Sequence, residues 1–511
     1  MAPLEPALVF IGFMGAGKTT AAREAAAALG TEPIDTDALL ERELGMAISD
    51  FFEQRGEAEF RAREEALAAA LLDRADGGAI ALGGGSLASE QVRAALARHT
   101  AVLLEIDART AWTRVGDGDR PLARDRDGFE ALYAERLPLY ERSADAILPS
   151  GLGVVTRALA ALQALGRAPE GIRMLWARSA SGDYPVYAGP GLLRSGFWPL
   201  EGRRFCVTDA NVNRLHGPAL EPLAGTVVVE PGERSKTLAS AELVWRSLAH
   251  QGMARDDHLV ALGGGVVGDL AGFCAATYQR GVALVQVPTT LVAQVDSAYG
   301  GKTGIDIPEA KNYVGAYHQP AAVMVDPATL LSLPAEELAS GYAEVVKTAL
   351  LAGGSLWQRV RGGAGGGAQP DVILACARTK LAVVAQDERD AGQRQVLNLG
   401  HTVGHAIETA TGYGRYRHGE AVGLGLLAAL RLSGQGELRR EVSALLEQHG
   451  LPTRLAGVEP ETVVDAASRD KKRRGGGPVG FVLLEAPGRP RTGCTVPEDD
   501  LLAAVAELVE G

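Results

Sequence analysis

Apolar positions along the chain fall into short runs closed by Gly-rich turns and longer Ala-rich stretches. The first run, Ala7 to Phe13, ends in such a turn and leads into an Ala-rich stretch to Leu29, which predicts strand, loop and helix. Gly78 to Leu82 and Ala101 to Ile106 read as further strands, and Phe51 to Leu72 as a helix. Such alternation implies a parallel sheet. A helix at about Val154 to Leu165 then gives way to Gly166-Arg167-Ala168-Pro169-Glu170-Gly171, the best linker candidate. Beyond it Phe205 to Thr208, Thr226 to Val229, His258 to Leu262 and Ala283 to Val287 are short, β-branched and bounded by turn formers. From about Pro334 the pattern turns helical, in Glu336 to Leu350, Val372 to Val384, His401 to Ala410 and Ala421 to Leu432, and strand signals nearly vanish. The expected class is α/β, with domains at 1–166, a linker at 167–171, a second α/β part at 172–333 and a mostly helical part at 334–511. No repeat of fixed period is visible, and Gly362 to Gly367 reads as a flexible connection.

Composition narrows the function classes. A length of 511 residues fits about three domains, and 46% hydrophobic with 22% charged residues excludes disorder. Fifty-one Lys and Arg against 63 Asp and Glu leave a charge of −12, which argues against a broad nucleic-acid or anionic-membrane surface. Any anion must be met by a local basic pocket. Cys206, Cys274, Cys376 and Cys494 are scattered without a CxxC pair, so neither a disulfide framework nor a thiolate zinc site is indicated. No apolar stretch approaches the roughly 20 residues of a membrane span, and a soluble cytoplasmic protein is expected.

Gly12-Phe13-Met14-Gly15-Ala16-Gly17-Lys18-Thr19 matches G-x-x-x-x-G-K-[ST] between a predicted strand and a predicted helix, the context that pattern requires. Gly15, Ala16 and Gly17 let backbone N–H groups converge on phosphate oxygens, Lys18 reaches the terminal phosphates, and Thr19, followed by Thr20, offers a hydroxyl to Mg²⁺. Further on come Asp35-Thr36-Asp37, Phe60-Arg61 with Glu64, Gly83-Gly84-Gly85, Arg120-Pro121-Leu122 and Arg136-Leu137-Pro138-Leu139-Tyr140. With these clusters in order, the first 165 or so residues resemble shikimate kinase. A small hydroxylated carboxylate needs a cationic clamp, for which Arg61 and Arg136 are suited, and an acceptor for its hydroxyls. The resemblance implies that Asp37 orients the attacking hydroxyl and Asp35 sits near Mg²⁺. It further implies that Gly83, Gly84 and Gly85 approach shikimate and that Arg120 comes from a lid to the transferring phosphate. Arg114 and Arg124 stay undecided between site and surface. A regulatory nucleotide-binding module is the alternative for this half.

The second half carries Gly263-Gly264-Gly265-Val266-Val267-Gly268-Asp269 after a predicted strand, which alone is a weak phosphate-turn signal. His401 and His405 are four apart and would share a helix face, so spacing alone offers them as two metal ligands. More specific are Val285-Gln286-Val287-Pro288-Thr289-Thr290-Leu291, Gln294-Val295-Asp296-Ser297, Gly300-Gly301-Lys302-Thr303, Lys311-Asn312 and Tyr317-His318-Gln319-Pro320. Gly341-Tyr342-Ala343-Glu344-Val345-Val346-Lys347 and Leu397-Asn398-Leu399-Gly400-His401-Thr402-Val403-Gly404-His405 complete the set. On these runs residues 172 to 511 resemble 3-dehydroquinate synthase.

That resemblance implies a metal, typically zinc, on Glu344, His401 and His418, with His405 over the substrate as a polar or acid/base group. For NAD it implies Asp209, Asn211, Glu233, Lys236, Gly264, Gly265, Val266, Asp269, Thr289, Thr290, Asp296, Lys302 and Lys311. For the substrate, 3-deoxy-arabino-heptulosonate 7-phosphate, it implies Asp296, Lys302, Asn312, Lys347, Lys380, Arg394, Asn398 and His405, with Arg280 arriving from a neighbouring subunit and hence a homodimer. Lys302, Lys347, Arg394, Asn398 and His405 would carry the chemistry, as Lys18, Asp37 and Arg120 would in the kinase. Gln393 stands where the family usually has Leu beside Arg394, and one Lys of Asp470-Lys471-Lys472 reaches substrate in the family. A metal-dependent polyol dehydrogenase would share the architecture but would not need so many anion-binding cations.

Overall fold

The computed structural model describes residues 5–115, 125–363, 368–473 and 480–510. Contacts divide the chain into two compact units: residues 1–176 with 185–187 and 197–199, and the remainder.

In the first unit β1 (Leu8–Ile11), β2 (Pro33–Asp35), β3 (Ala79–Ala81), β4 (Thr100–Glu105), β5 (Ala146–Pro149) and β6 (Arg173–Ala177) pair in the order β2-β3-β1-β4-β5-β6, all parallel. Val9 lies opposite Ile80 on one side and Ala101 on the other. Every residue of β1 is buried, as expected of a parallel strand covered on both faces, which is why it reads as an unbroken apolar run. Helices Lys18–Leu29, Ile48–Arg74 and Val154–Leu165 lie close to the predicted ranges. The second of these is broken at Gly56, whose φ of 80° no helix accommodates.

In the second unit β8 (Arg204–Asp209), β9 (Gly225–Val229), β10 (His258–Gly263), β11 (Ala283–Pro288) and β14 (Ala322–Val325) form the parallel order β14-β11-β10-β8-β9; β7 (Tyr184–Ala188) precedes them in the chain. Its core is Val, Leu, Ala and Phe from these strands, packed on helices Leu238–His250 and Gly265–Thr277. A hairpin of β12 (Lys302–Ile307) and β13 (Ala310–Tyr317) stands outside the sheet. The predicted helices appear as Ala335–Ala352, Pro370–Gln386, His401–Ala410 and His418–Leu432. The last begins at His418 rather than Ala421, because the Glu420 side chain accepts from the Arg417 backbone N–H at 2.8 Å and fixes the start.

Beyond residue 334 the chain is mostly helical, as expected, with one hairpin the sequence did not announce: β15 (Phe481–Ala486) and β16 (Arg489–Cys494) pair antiparallel around Gly488, at φ 84°. Two bulges interrupt this hairpin, so its side chains lack the clean alternation that marks a strand. Residues 364–367, within the predicted flexible connection, lie outside the described residues.

Candidate active sites

The first site grows from the C-terminal end of β1. Gly15 has φ 79°, and a Cβ there would lie 3.0 Å from the Ala111 carbonyl, so only glycine serves. Lys18 Nζ folds back to donate to the carbonyls of Gly12 (2.9 Å) and Phe13 (3.2 Å). Thr19 Oγ1 donates to Asp35 Oδ2 at 2.6 Å, while Asp35 Oδ1 accepts from the N–H groups of Asp37 and Ala38. Asp35 therefore ties the phosphate loop to the start of the helix Thr36–Leu44, one turn of which presents Asp37. Ala16 is buried in the turn, and Thr20 follows on the exposed side of the helix.

Opposite it, Arg61 pairs with Glu64 at 2.6 Å and Glu57 at 3.2 Å, its guanidinium lying over the Phe60 and Phe52 rings. Glu64 is buried and also accepts from Ser86 Oγ at 2.9 Å. Gly83 and Gly85 are where side chains converge: a Cβ on Gly83 would meet Glu64 Oε1 at 2.5 Å and Asp37 Oδ1 at 2.8 Å, and one on Gly85 would fall 2.0 Å from Arg61 Nη1. The Gly84 carbonyl accepts from Tyr140 Oη (2.5 Å) and Arg136 Nη1 (3.3 Å). Burial pushes the Tyr140 hydroxyl up to about 12. The structure thus brings together Asp37, Arg61, Gly83 to Gly85 and Arg136. Arg120 and Arg124 lie outside the described residues. Arg114, undecided from sequence, donates to the Gly15 carbonyl (3.1 Å) and Ser150 Oγ (3.0 Å), so it buttresses the phosphate loop.

The second site sits where three helices nearly touch. A Cβ on Gly419 would lie 1.8 Å from the Ser340 carbonyl, and one on Gly425 2.0 Å from the Gly400 carbonyl. This closeness brings Glu344, His401 and His418 together, with one donor atom of each within 4.8 Å of the others. Glu344 is 1% exposed, and its Oε1 faces His401 Nε2 at 3.4 Å and His418 Nε2 at 3.3 Å without a hydrogen bond to either. His405, the partner that spacing alone gave to His401, lies 5.3 Å from the His401 ring but joins Glu408 and His418 in a second cluster. Glu408 was not singled out from sequence, although it shares the helix face of His401 and His405.

Burial, reinforced by Lys347 and the neighbouring imidazoles against the opposing pull of Glu344, holds His401 down to about 3. Burial would lower His418 as well, but the Glu344 and Glu408 carboxylates on either side of the ring outweigh it and hold that imidazolium up to about 10. Behind the trio runs a buried ion network. Lys347 Nζ lies 2.6 Å from Glu344 Oε2 and 3.5 Å from Asp296 Oδ1, and Lys380 Nζ lies 3.0 Å from the same Asp296 oxygen. Burial opposes charge on Asp296, yet the two ammonium groups bring its carboxyl down to about 2. Lys347, between two carboxylates, is raised despite burial; Lys380, facing one carboxylate and the charge of Lys347, is lowered by burial.

Around this network Arg394 is buried and donates to the carbonyls of Gly300 (3.2 Å) and Glu388 (2.5 Å), and Asn398 ends the helical turn Gln393–Asn398 that carries it. Asn312, at φ 53°, donates its N–H to Asp306 Oδ1. Lys302 is exposed and paired with Asp390 at 2.5 Å, and Arg280 is exposed on the turn Tyr278–Arg280. The Gly-rich turn leads from β10 into an uncapped helix beginning at Gly265, with Val266 in its first turn; a Cβ on Gly264 would meet Thr290 Cγ2 at 2.8 Å. Asp209 caps the helix Ala210–His216 through the N–H groups of Asn211 and Val212. Lys236 Nζ lies 3.0 Å from Asp269 and 3.6 Å from Glu233, while Lys311 Nζ lies 3.5 Å from Glu233 and over the Tyr413 ring. Thr289 Oγ1 and Ser297 Oγ are buried without a hydrogen-bond partner.

Family models match in chain order: shikimate kinase over residues 14–161, then the N-terminal part of 3-dehydroquinate synthase over 226–340 and its C-terminal part over 341–473. The 3-dehydroquinate synthase of Halorhodospira halophila (strain DSM 244 / SL1) is 43% identical over 334 residues, 62% of this chain and 94% of that protein. This chain belongs to the 3-dehydroquinate synthase family. With the kinase match before it, it is a bifunctional enzyme, a shikimate kinase joined to a 3-dehydroquinate synthase. Among solved structures, ValA, the 2-epi-5-epi-valiolone synthase of Streptomyces hygroscopicus subsp. jinggangensis 5008 with NAD⁺ and Zn²⁺ bound, superposes with TM-score 0.59 at 26% identity. That match covers 64% of this chain and 97% of that one. A 2-deoxy-scyllo-inosose synthase complexed with carbaglucose-6-phosphate, NAD⁺ and Co²⁺ gives 0.58 at 25%, covering 65% and 99%. Among the described residues no helix is long and apolar enough to cross a membrane.

Proposed function

We propose that the first site moves the terminal phosphoryl group of Mg-bound ATP to a hydroxyl of shikimate. The second converts 3-deoxy-arabino-heptulosonate 7-phosphate to 3-dehydroquinate and phosphate. In the kinase, Gly15 to Thr20 cradle the nucleotide and Asp35, through Thr19, sets the Mg²⁺ side. Asp37 orients the hydroxyl and accepts its proton, and Arg61 and Arg136 clamp the carboxylate. Arg120 is proposed as the lid cation.

In the synthase, Glu344, His401 and His418 fit a divalent ion. A carboxylate oxygen buried between two imidazole nitrogens and hydrogen-bonded to neither is a donor set awaiting a cation. NAD fits the turn at Gly264 and Gly265, where the uncapped helix start and the buried Thr289 hydroxyl offer polar atoms. When bound, a divalent ion at these residues would supply polarisation of a substrate hydroxyl, and NAD⁺ at the turn would supply a reversible hydride acceptor, chemistry that consumes no NAD overall. The protein's own part is binding and proton handling. Lys302, Asn312, Lys347, Lys380, Arg394 and Asn398 supply positive charge and donors for phosphate and carboxylate, and His405 moves a proton at the substrate. Asp209, Asn211, Glu233, Lys236, Asp269, Thr290, Asp296 and Lys311 hold the dinucleotide.

We place these parts in domains 1–166, 172–333 and 334–511, linked by 167–171, within a cytoplasmic homodimer in which Arg280 serves the neighbouring subunit. The observation that carries the synthase reading is the Glu344 carboxylate between His401 and His418. The test is to assay the purified chain on both substrates, with and without a chelator selective for zinc over magnesium. Phosphate release from the heptulosonate should stop with chelator and shikimate-dependent ADP formation should continue. Net NADH from glycerol-like alcohols with no phosphate release would replace this reading by a dehydrogenase.

A further inference from the structure

His418 lies between two carboxylates, one at each ring nitrogen: Nε2 is 3.3 Å from Glu344 Oε1 and Nδ1 is 3.6 Å from Glu408 Oε1. A ligating imidazole keeps one N–H and one lone pair, so an ion bound at His418 displaces one of its two protons, and something must decide which nitrogen gives it up. At His401 the decision falls to a backbone group, since Nδ1 lies 3.3 Å from the Leu399 carbonyl while Nε2 faces Glu344. Glu408 occupies the corresponding place for His418. It is largely buried, and it sits seven residues after His401 and three after His405, which puts all three on one face of the helix.

We propose that Glu408 is a positioning residue: its carboxylate accepts from the His418 Nδ1–H and so turns the Nε2 lone pair towards Glu344 and His401. The inference rests on the metal reading of that trio. A carboxylate is a stronger acceptor than a carbonyl, so it fixes the ring and raises its basicity as a ligand, the usual work of groups behind metal-bound histidines. The competing use, a second ion on His405, Glu408 and His418, would take a lone pair from both nitrogens of His418 and strip its last proton. One N–H to Glu408 with one lone pair towards Glu344 needs no such loss.

The experiment uses the full chain stripped of metal and titrated with Co²⁺, read by chelator competition and by the visible d–d absorption. Glu408→Gln and Glu408→Ala are compared with the wild type, and shikimate kinase turnover and melting temperature of each variant serve as folding controls. The wild type should bind one Co²⁺ per chain. Glu408→Gln should bind it about 10- to 100-fold more weakly with an altered d–d band, and Glu408→Ala no better, with kinase turnover unchanged. Wild-type affinity and spectrum in Glu408→Gln would overturn the proposal. So would two Co²⁺ per wild-type chain falling to one in Glu408→Gln, which would give Glu408 to a second ion. A wild type that binds no Co²⁺ would instead defeat the metal reading of Glu344, His401 and His418, and this inference with it.

Discussion

The two sites meet anions by different physics. The kinase site is assembled from a backbone turn and from half-exposed cations such as Arg61, whose side chain keeps 26% of its surface. The synthase site is built on buried Glu344, Lys347 and Lys380 with Asp296 at their edge, and both partners of the Glu344–Lys347 pair are 1% exposed. An exposed cation that loses its partner is rescued by water. A buried one is not, so the two halves should fail differently when the same kind of residue is removed.

The sharpest separation is in activity. Lys18→Ala should lower shikimate phosphorylation by roughly 10³-fold or more and leave phosphate release from the heptulosonate intact; His401→Ala should do the reverse. An ADP-coupled assay beside a phosphate-release assay checks both, and loss of both activities in either variant would break the separation.

Stability comes next. Lys347→Met leaves the buried Glu344 carboxylate without its cation and should cost about 3–5 kcal/mol in denaturant unfolding, whereas Arg126→Met, which breaks an exposed pair with Glu130 in the first unit, should cost about 1 kcal/mol or less. Equal losses would erase the contrast. Acid should then separate the units, because His258, at the start of β10, is held down to about 4 by burial, with Arg204 adding. The unfolded chain takes up this proton below about 6.5 and the folded one only near 4, so this contribution is complete above pH 6.5 and is lost as pH falls towards 4, by up to about 3 kcal/mol. Melting curves across that window should show the synthase unit weakening with acid, and His258→Gln should flatten the trend.

The smallest expected effect tests one clash in two settings. Alanine at Gly425 meets the Gly400 backbone carbonyl at 2.0 Å and should cost about 1–3 kcal/mol, because backbone cannot step aside. Alanine at Gly85 meets the end of the Arg61 side chain at the same 2.0 Å, so its effect on melting should stay within about 0.5 kcal/mol while the KM for shikimate rises.

The same difference explains what could be read before the fold was known. The phosphate loop is legible because Gly15, Lys18 and Thr19 act within one turn, and buried strands such as β1 announce themselves as apolar runs. Spacing alone offered His401 and His405 as ligands because they share a face; the trio we propose takes His418 from another helix and Glu344 from a third, which periodicity cannot join. Resemblance to the family supplied that trio. Glu408 went unread, although its offset of seven from His401 was a usable signal. The hairpin of β15 and β16 hid because its bulges break the two-residue period.

The Gly425 contact has a consequence for anyone reshaping this enzyme. With the carbonyl of Gly400 lodged where a methyl would be, the helices that carry His401 and His418 are already at their closest approach and locked in axial register. A roomier substrate cavity cannot be had by prising them apart without moving both imidazoles together. Space for a bulkier sugar has to be carved from side chains elsewhere, such as those of the exposed strand β13.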